Sequence, residues 1–567
     1  MEARGKHNPG WSAKPGAIAR LWRRVYDGPA MQSRSLRLSE LPHSSRLFSD
    51  FVDEWKRVAA FYAHPFTLSG IGNAARSAAL PEHTRREVVD ILREQNQSLG
   101  ADANTSKNLD RLAAGAVAIV TGQQIGLFSG PAFCFYKALT AARLARELTD
   151  AGTQAVPVFW LATEDHDYAE IGHTDFLTTD GTLRRLELAA APDSAGRRVG
   201  NIVLGDEVSH LAREAAAALE GPDVDELGAT LAVAYRPGEG LGKAFGELMA
   251  RLLAGRGLIF LDPLDARLHR LAGPLLRAAI EKRAELNQAL LERKKRLEKA
   301  GYHAQVRVTE RSTLLFLDVE GRREAVRRRG DTLAAGADTF SEDEILQRLE
   351  HQPESFSANV LLRPVMQDAL LPTAAYVGGP AEVAYFAQSE VIYRLLGRPM
   401  PAIVPRAGFT LVEPLAQRLL KKYGLDVRDL FLGRQRVRAL MEGKGLPREL
   451  AHRFRTADRR LSDAVAKIRS PLGKLDKTLL GALDTSTRKM RFQLERLRGK
   501  AARAENFRTG VLHRHEHILF DSLFPHHQPQ ERSVCLLPML ARHGLTLLGE
   551  LEAQIDPAQP RHHVVSL

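Results

Sequence analysis

Four consecutive titratable side chains, Glu164, Asp165, His166 and Asp167, follow an apolar run that we predict to be a β-strand. Carboxylates and an imidazole in one short loop can hold a metal ion, act as a general base or bind a substrate ammonium group. A loop that merely caps the next helix needs one carboxylate. Four such groups exceed that need, so we interpret the loop as a functional site. A metal site is the weaker interpretation, because no second cluster of ligands is evident.

A second candidate site is the segment TGQQIGLFSGP (121–131), which follows an earlier apolar run. Its three glycines would let the backbone approach a ligand, and the helix predicted to follow would offer free N–H groups to an anion near Ser129. Gln123 and Gln124, with Thr121, would bind hydroxyls, amides or carboxylates without adding charge. The glycine spacing is not that of the dinucleotide fingerprint, and the GK[ST] of a P-loop is missing. A tight strand-to-helix turn is the alternative.

A third candidate site is the segment YVGGPAEVAY (376–385). Its two glycines permit a backbone-lined pocket floor, and a glutamate and a tyrosine three residues apart share one face of the predicted helix. Arginines before and after this segment would supply contacts to an anion. The predicted binding residues here are Tyr376, Gly378, Gly379, Glu382, Tyr385, Arg363, Gln367 and Arg406.

The elements around these segments predict how they come together. Short apolar runs alternate with helical patterns, which is typical of a parallel β-sheet. Open parallel sheets bind small molecules beyond the carboxyl ends of their strands, where the three segments fall. The sequence therefore predicts an α/β fold with a parallel-sheet core. The predicted core strands lie at 116–120, 156–162, 257–261, 374–377 and 401–405.

Two insertions are predicted to interrupt this core. The first contains short strands at 182–188 and 198–204, and the second contains alternating strands at 303–309 and 312–319. The predicted organisation is a spurious or disordered extension (1–30), a first part of the core (31–180), the first insertion (181–232), a second part of the core (233–300), the second insertion (301–356), a third part of the core (357–415), a helical coiled-coil domain (416–525) and a C-terminal segment that packs on the body (526–567).

The coiled-coil prediction rests on apolar residues that step by three and four after residue 440. Two such series, joined near 481–485, predict an antiparallel arm. Residues 411–520 contain 26 lysines and arginines against 12 aspartates and glutamates, a surplus that exceeds the net charge of +12. A basic face can bind nucleic acid, but long helices more often present such a face to solvent. The region lacks interleaved aromatic residues for base stacking, so we favour a solvated face.

Length and composition limit the remaining possibilities. A chain of 567 residues has room for two to four domains. Its two cysteines, Cys134 and Cys535, exclude a disulfide framework and a cysteine-built zinc site, and indicate a reducing cytoplasm. No apolar run approaches the roughly 20 residues of a membrane-spanning helix, so no membrane association is expected.

The chain resembles the cysteine ligase, or cysteine-adding enzyme, family of bacillithiol biosynthesis. The resemblance runs from about residue 31 to the end and rests on long motifs. These are TGQQIGLFSGP (121–131), VPVFWLATEDHDYAEI (156–171), NVLLRPVMQDALLPTAAYVGGPAEVAYFAQ (359–388), MPAIVPRAGFTLVE (400–413) and QPQER (528–532).

The resemblance implies a Rossmann-like core with two connecting insertions, similar to class I aminoacyl-tRNA synthetases, a coiled-coil domain and a homodimer. It also implies the last step of bacillithiol assembly, in which the carboxyl group of cysteine is joined to the amine of glucosaminyl-malate. A free carboxylate needs activation, so ATP, with Mg²⁺ bound to the nucleotide, is the expected cosubstrate. The HIGH-type and KMSKS-type signatures of the synthetases are missing, which leaves the activation route open.

The same resemblance suggests roles for the candidate residues. Asp165 or Asp167 would hold the cysteine ammonium group, and His166 would be the base that acts on the attacking amine. Two other classes of function stay open. One is a metal-dependent hydrolase centred on residues 164–167. The other is a scaffold or nucleic-acid-binding protein that uses the basic arm. The remaining predicted residues, which bind substrate or phosphate or complete the pocket, are Thr121, Gln123, Gln124, Ser129, Glu164, Tyr376, Gly378, Gly379, Glu382, Tyr385 and Arg406.

Overall fold

A computed structural model of the chain describes residues 32–190, 194–442, 446 and 448–567, without the side chains of 448 and 506–509. The extension predicted at 1–30 lies outside the described residues. The strands are β1 (Ser33–Arg37), β2 (Val117–Gln123), β3 (Ala155–Leu161), β4 (His173–Leu177), β5 (Leu183–Glu187), β6 (Ile259–Leu261), β7 (Ser312–Val319), β8 (Arg322–Arg329), β9 (Thr332–Ala335), β10 (Asp338–Phe340), β11 (Phe356–Ala358), β12 (Thr373–Gly378), β13 (Ala402–Pro405), β14 (Gly408–Val412) and β15 (Arg561–Ser566).

Helices surround these strands. They are α1 (Arg46–Asp53), α2 (Trp55–Val58), α3 (Leu68–Ser77), α4 (Glu82–Ser98), α5 (Ala103–Ala113), α6 (Phe133–Asp150), α7 (Tyr168–Ile171), α8 (Glu207–Ala217), α9 (Val224–Ala234), α10 (Leu241–Leu252), α11 (Ala266–Glu281), α12 (Arg283–Lys299), α13 (Glu342–His351), α14 (Arg363–Leu370), α15 (Pro380–Leu395), α16 (Pro414–Tyr423), α17 (Val427–Leu430), α18 (Arg434–Glu442), α19 (Arg448–Leu475), α20 (Leu479–Thr509), α21 (Val511–Leu523), α22 (Leu537–His543) and α23 (Leu547–Ala553).

The central sheet has the strand order β13-β12-β2-β3-β6, and all of its pairs are parallel. Strand β3 is buried at every position, and β2 at all but its last, because helices cover both faces of the sheet. This explains the continuous apolar runs in the sequence. The predicted α/β, Rossmann-like parallel core is confirmed. Since β12, β2 and β3 are neighbours, the segments that follow them meet at one edge.

The first predicted insertion holds strand β5, helix α8 and most of α9, but β5 pairs antiparallel with β4, which ends at Leu177, before the predicted boundary at 181. The strand predicted at 198–204 is wrong. The backbone there makes a short turn, because its N–H groups bond to the loop after β3. The amide of Val199 donates to the carbonyl of Asp165 at 2.6 Å, and that of Gly200 donates to Thr163 at 2.9 Å.

A second, antiparallel sheet, β10-β9-β8-β7-β11, occupies the second predicted insertion. The strand predicted at 303–309 is wrong, because that segment takes its hydrogen bonds from a side chain. The Gln388 amide accepts from the backbone N–H of Val306 at 2.8 Å and donates to the Val306 carbonyl at 2.9 Å. The segment therefore lies against helix α15 rather than in a sheet.

Helices α19 and α20 form an antiparallel arm. Arg469 pairs with Asp484 at 2.6 Å, and Arg491 pairs with Asp458 at 3.3 Å, so residues near one end of α19 contact residues near the opposite end of α20. The predicted junction near 481–485 is wrong. The turn comes earlier, where the Asp476 carboxylate accepts the backbone N–H of the residue two positions later, at 2.8 Å.

The C-terminal strand β15 lies between β1 and β14, parallel to β14 and antiparallel to β1. The QPQER element packs beneath this small sheet. The Gln530 side chain accepts from the backbone of Leu411 at 2.7 Å and donates back to it at 2.8 Å. The end of the chain is thereby fixed close to the central sheet. Within the described residues, no helix has both the length and the apolar character needed to cross a membrane.

Candidate active site

A cavity of about 430 Å³ opens beyond the carboxyl ends of β12, β2 and β3. Eight of the fourteen residues to which the sequence analysis assigned catalytic or substrate-binding roles line it, together with Arg363. They are Gln123, Gln124, Asp165, Tyr376, Gly379, Glu382, Tyr385 and Arg406. The other lining residues include Gly122, Phe133, Lys137, Trp160, Glu170, Gln305, Val306 and Arg532.

Lys137 and Glu382 form an ion pair at the floor of this cavity. The lysine Nζ lies 2.5 Å from a glutamate oxygen, and the two side chains are 3% and 16% exposed. Burial lowers the pKa of Lys137, and Glu382 opposes that effect. Burial raises the pKa of Glu382, but the lysine, the Gly379 amide at 2.7 Å and the Tyr376 hydroxyl at 2.6 Å hold it below its ordinary value. Glu382 is therefore an ionised carboxylate that fixes the floor.

Arg363 lines the cavity as a partly buried cation whose direct contacts are with neutral groups. Its guanidinium donates to the hydroxyl of Tyr385 at 3.1 Å and to the amide oxygen of Gln367 at 3.1 Å. It lies 5.9 Å from the ring centre of Trp160 and 5.5 Å from that of Tyr376. Among the described residues, no aspartate or glutamate forms an ion pair with it. A desolvated cation held only by neutral groups is a binding site for an anionic ligand.

Asp165 is the acidic counterpart of Arg363 in the same cavity. Its carboxylate accepts from the side chain of Gln124 at 2.7 Å and from the backbone N–H of His166 at 2.7 Å. Burial raises the pKa of Asp165, but the His166 side chain, these two hydrogen bonds and the charge of nearby Arg323 together outweigh burial and keep the pKa below the ordinary value. The charge thus persists at neutral pH, and both of these donors are uncharged.

The other three members of the 164–167 cluster have separate partners. Glu164 is buried and lies 3.2 Å from Nε2 of the fully buried His269. His166 Nδ1 lies 3.1 Å from a nitrogen of Arg323. Asp167 caps helix α7. The four side chains do not converge on one point, and across the described residues no group of three or more histidines, cysteines, aspartates and glutamates is arranged to hold a metal ion.

Three further predicted residues also lie outside the cavity lining. Thr121 is buried and donates to the carbonyl of Val377 at 2.8 Å, which ties β2 to β12. Ser129 is fully buried beside Cys535. Gly378 precedes the floor, where a Cβ would lie 2.9 Å from the Cβ of Glu382. These residues stabilise the walls of the site.

The glycines of segment 121–131 mainly serve chain packing. A Cβ on Gly126 would lie 2.7 Å from the Cα of Gly130, and Gly130 itself has a φ of +64°. The backbone therefore folds tightly on itself, as the turn alternative predicted. Gly122 is different, because it lines the cavity against Trp160.

Sequence reasoning missed Lys137, Trp160 and Arg532 as site residues. Lys137 is the one charged residue in the first ten residues of helix α6, and that is the signal that could have identified it. Trp160 is part of an apolar strand, so nothing in the sequence distinguishes it from a core residue. Arg532 belongs to the QPQER element, more than 120 residues beyond the other lining residues.

Arg406 connects the cavity to the C-terminal segment. Its guanidinium pairs with Glu531 at 2.7 Å, and both are buried. Glu531 also accepts the backbone N–H of Phe409 at 2.9 Å and lies 3.9 Å from Nδ1 of the buried His562. Burial lowers the pKa of His562 to about 4.

His562 should make the protein acid-sensitive. Its folded pKa of about 4 lies below the ordinary 6.5, so the unfolded state binds the proton more tightly. The contribution of His562 to the free energy of unfolding is therefore fully present above about pH 6.5. This contribution is lost as the pH falls from 6.5 towards 4. We expect His562→Gln to reduce the loss of unfolding free energy between about pH 7.5 and about pH 5 by about 2 kcal/mol. Urea titrations at both pH values measure the free energy of unfolding. Equal losses of this free energy in the wild type and in His562→Gln would contradict the prediction.

A second cavity, of about 380 Å³, adjoins the first. The two share Gln123, Gln124, Phe133, Glu170 and Arg532. The second is also lined by Asp175, which accepts from Arg185 at 2.8 and 2.9 Å. The connected cavities can accept more than one small molecule.

A Rossmann-like sheet with a charged cavity at the carboxyl ends of its strands defines a small-molecule-binding protein of the α/β class. Residues 31–407 match the family described as "Bacillithiol biosynthesis BshC, N-terminal Rossmann-like domain", and residues 409–567 match "Bacillithiol biosynthesis BshC, C-terminal coiled-coil domain". The chain belongs to the BshC family of bacillithiol biosynthesis. The resemblance inferred from the sequence motifs is confirmed.

Similar proteins include three that carry the name "Putative cysteine ligase BshC". The protein of Koribacter versatilis is 42% identical over 531 residues, covering 93% of this chain and 98% of its own length. That of Solibacter usitatus is 38% identical, covering 94% and 100%. That of Salinibacter ruber is 34% identical, covering 92% and 96%.

Proposed function

We propose that this chain forms the amide bond between the carboxyl group of cysteine and the amine of glucosaminyl-malate, the last step of bacillithiol assembly. One observation carries the proposal. One cavity at the sheet edge holds both Arg363 and Asp165, and among the described residues no carboxylate pairs directly with this arginine and no lysine or arginine pairs directly with this aspartate. Cysteine brings an ammonium group, and the malyl group brings carboxylates. The family membership supports the same reaction.

Asp165 binds the ammonium group of cysteine, because it is ionised and no lysine or arginine of the described residues forms a direct ion pair with it. Glu170, which lines both cavities and has no ion-pair partner among the described residues, adds to the negative potential. Arg363 binds a malyl carboxylate, because a guanidinium can donate two parallel hydrogen bonds to a carboxylate. The rings of Trp160 and Tyr376 make cation–π contacts with that guanidinium.

In the reaction, a bond forms between the amine nitrogen and the carboxyl carbon of cysteine, and one carboxyl oxygen leaves. The nitrogen loses a proton to solvent in the same step. ATP supplies the activation by making that oxygen part of a better leaving group, released as AMP or phosphate. Arg532 fits a polyphosphate, because it lines both cavities and forms no ion pair with any carboxylate of the described residues. Mg²⁺ would arrive with the nucleotide, since the cluster 164–167 does not converge.

We also propose a homodimer formed through the arm. The side chains of Ile468, Leu475, Phe492 and Leu497 are 49%, 79%, 64% and 57% exposed. Exposed apolar side chains on a long helical arm are typical of a contact with a second copy. Sedimentation equilibrium measures the mass directly.

Mass spectrometry tests the reaction. Purified protein is incubated with cysteine, glucosaminyl-malate, ATP and magnesium. A product heavier than glucosaminyl-malate by one cysteinyl residue, absent without enzyme, supports the ligase, and the appearance of AMP or ADP identifies the activation route. A product that forms only with cell extract would indicate a different activated donor. Hydrolysis of glucosaminyl-malate that chelator stops and added metal restores would favour the hydrolase instead.

Asp165→Asn should raise the KM for cysteine by about 10- to 100-fold, because a hydrogen bond to a charged group contributes about 1.5–3 kcal/mol. The asparagine keeps the size of the side chain but loses the charge that attracts the ammonium group. Asp167→Asn is the matched control, since Asp167 only caps α7 and should leave the KM unchanged. Steady-state kinetics at varied cysteine measure both. Normal KM in a folded Asp165→Asn protein would remove Asp165 from the site.

A further inference from the structure

Arg323 lies on β8 of the inserted sheet and reaches the loop that follows β3. Its guanidinium lies 3.8 Å from the ring centre of Phe316, donates to the Ser357 hydroxyl at 2.9 Å and donates to the Ala358 carbonyl at 3.0 Å. A remaining N–H group points at Nδ1 of His166, 3.1 Å away. Three contacts with residues outside the loop thus fix the position of the guanidinium beside His166.

The contact decides the proton arrangement of His166. A guanidinium has donors but no acceptor, so Nδ1 must supply a lone pair. A neutral imidazole carries one proton, which must then be on Nε2. The nearest oxygen of Asp165 lies 3.5 Å from the same Nδ1 and cannot be its hydrogen-bond acceptor in this tautomer.

The loop is held on its other side by the first insertion. The amides of Val199 and Gly200 donate to the loop carbonyls of Asp165 and Thr163 at 2.6 and 2.9 Å. The two insertions are also joined, because the backbone N–H of Arg323 donates to the carbonyl of Gly196 at 2.8 Å. The loop therefore lies between two elements that are themselves bonded together.

We propose that Arg323 is a positioning residue that fixes His166 as the tautomer protonated on Nε2. His166 then offers an N–H donor. In the ligase reaction, which rests on the proposed function, it would donate to an oxygen that becomes negative and would not take the proton of the attacking amine. Arg323 acts only through His166 and the loop.

Nitrogen-15 NMR of histidine-labelled protein tests this proposal without requiring turnover. His166→Gln identifies the ring signals, and the spectra of all proteins are recorded at the same mildly alkaline pH. We expect an unprotonated Nδ1 and a protonated Nε2 in the wild type. We expect a mixture of tautomers in Arg323→Met. Arg323→Lys should not restore the wild-type spectrum, because an ammonium cannot make the same set of directed contacts.

Arg322→Met is the matched control, since this exposed arginine is next in the chain and has no contact with His166. Its spectrum should equal that of the wild type. A proton on Nδ1 in the wild type would overturn the proposal even if Arg323→Met did not fold. An unchanged spectrum in a folded Arg323→Met protein would also overturn it. Failure of ligation alone, with the expected spectra, would count against the proposed function and leave the positioning role intact.

Discussion

Arg363→Met is expected to raise the KM for glucosaminyl-malate by between about 30-fold and several thousand-fold, equivalent to about 2–5 kcal/mol. The variant removes the cation that we assign to a malyl carboxylate and leaves that carboxylate facing Trp160 and Tyr376. Activity measured at varied glucosaminyl-malate, with cysteine and ATP saturating, gives the ratio. The KM for cysteine should change much less.

Two variants make the Arg363 result specific. Arg363→Lys keeps the charge but cannot hold Tyr385 and Gln367 together, so we expect only partial recovery. Arg86→Met removes an exposed arginine on α4 and should behave as the wild type. Calorimetry with L-malate alone provides a measurement that does not depend on turnover. Equal malate affinity in wild type and Arg363→Met would show that the anion binds elsewhere.

Lys137→Met is expected to lower the free energy of unfolding by about 3–5 kcal/mol, the usual cost of leaving one member of a buried ion pair alone. Glu382 would keep its hydrogen bonds from Tyr376 and Gly379 but would lose the opposing charge. Part of the loss should disappear at low pH, because the unpaired carboxyl group can then take up a proton. Urea denaturation followed by circular dichroism measures the difference.

The double variant Lys137→Met with Glu382→Gln tests the pairing. It removes both charges, so its destabilisation should be smaller than the sum of the single effects by more than about 1 kcal/mol. Arg143→Met serves as a surface control, because its ion pair with Glu147 is half-exposed and should contribute little. Additive losses in the double variant would mean that the two residues act independently.

The sequence was sufficient to predict the parallel core because strands covered on both faces must be apolar throughout. It failed at 198–204 and 303–309, where apolar alternation was present but the backbone bonds to a loop or to Gln388. Such partners are far away in the chain, and local periodicity carries no information about them. The strands of the core could therefore be predicted from local periodicity, and the structure of these two segments of the insertions could not.

Some features of the candidate site could also be predicted from the sequence, and others could not. Segments that directly follow core strands could be placed at one edge, which brought Asp165, Gln124 and Glu382 together correctly. The direction of each side chain could not be predicted. The sequence predicts one functional site at residues 164–167, but the chain turns after β3 and the side chain of Glu164 lies against His269 instead. The cavity cations Lys137 and Arg532 depend on helix packing and on the end of the chain.

The ion pair between Arg406 and Glu531 has a consequence for separating the two parts of the chain or for transferring one of them to another protein. The family boundary after residue 407 separates two pieces of sequence, yet the wall of the cavity is assembled from both, with Arg532 supplied by the second. During synthesis, the pocket can be complete only after the ribosome has translated residues 531 and 532. The N-terminal piece alone lacks part of the cavity wall, because Arg532 and the Glu531 that pairs with Arg406 come from the second piece.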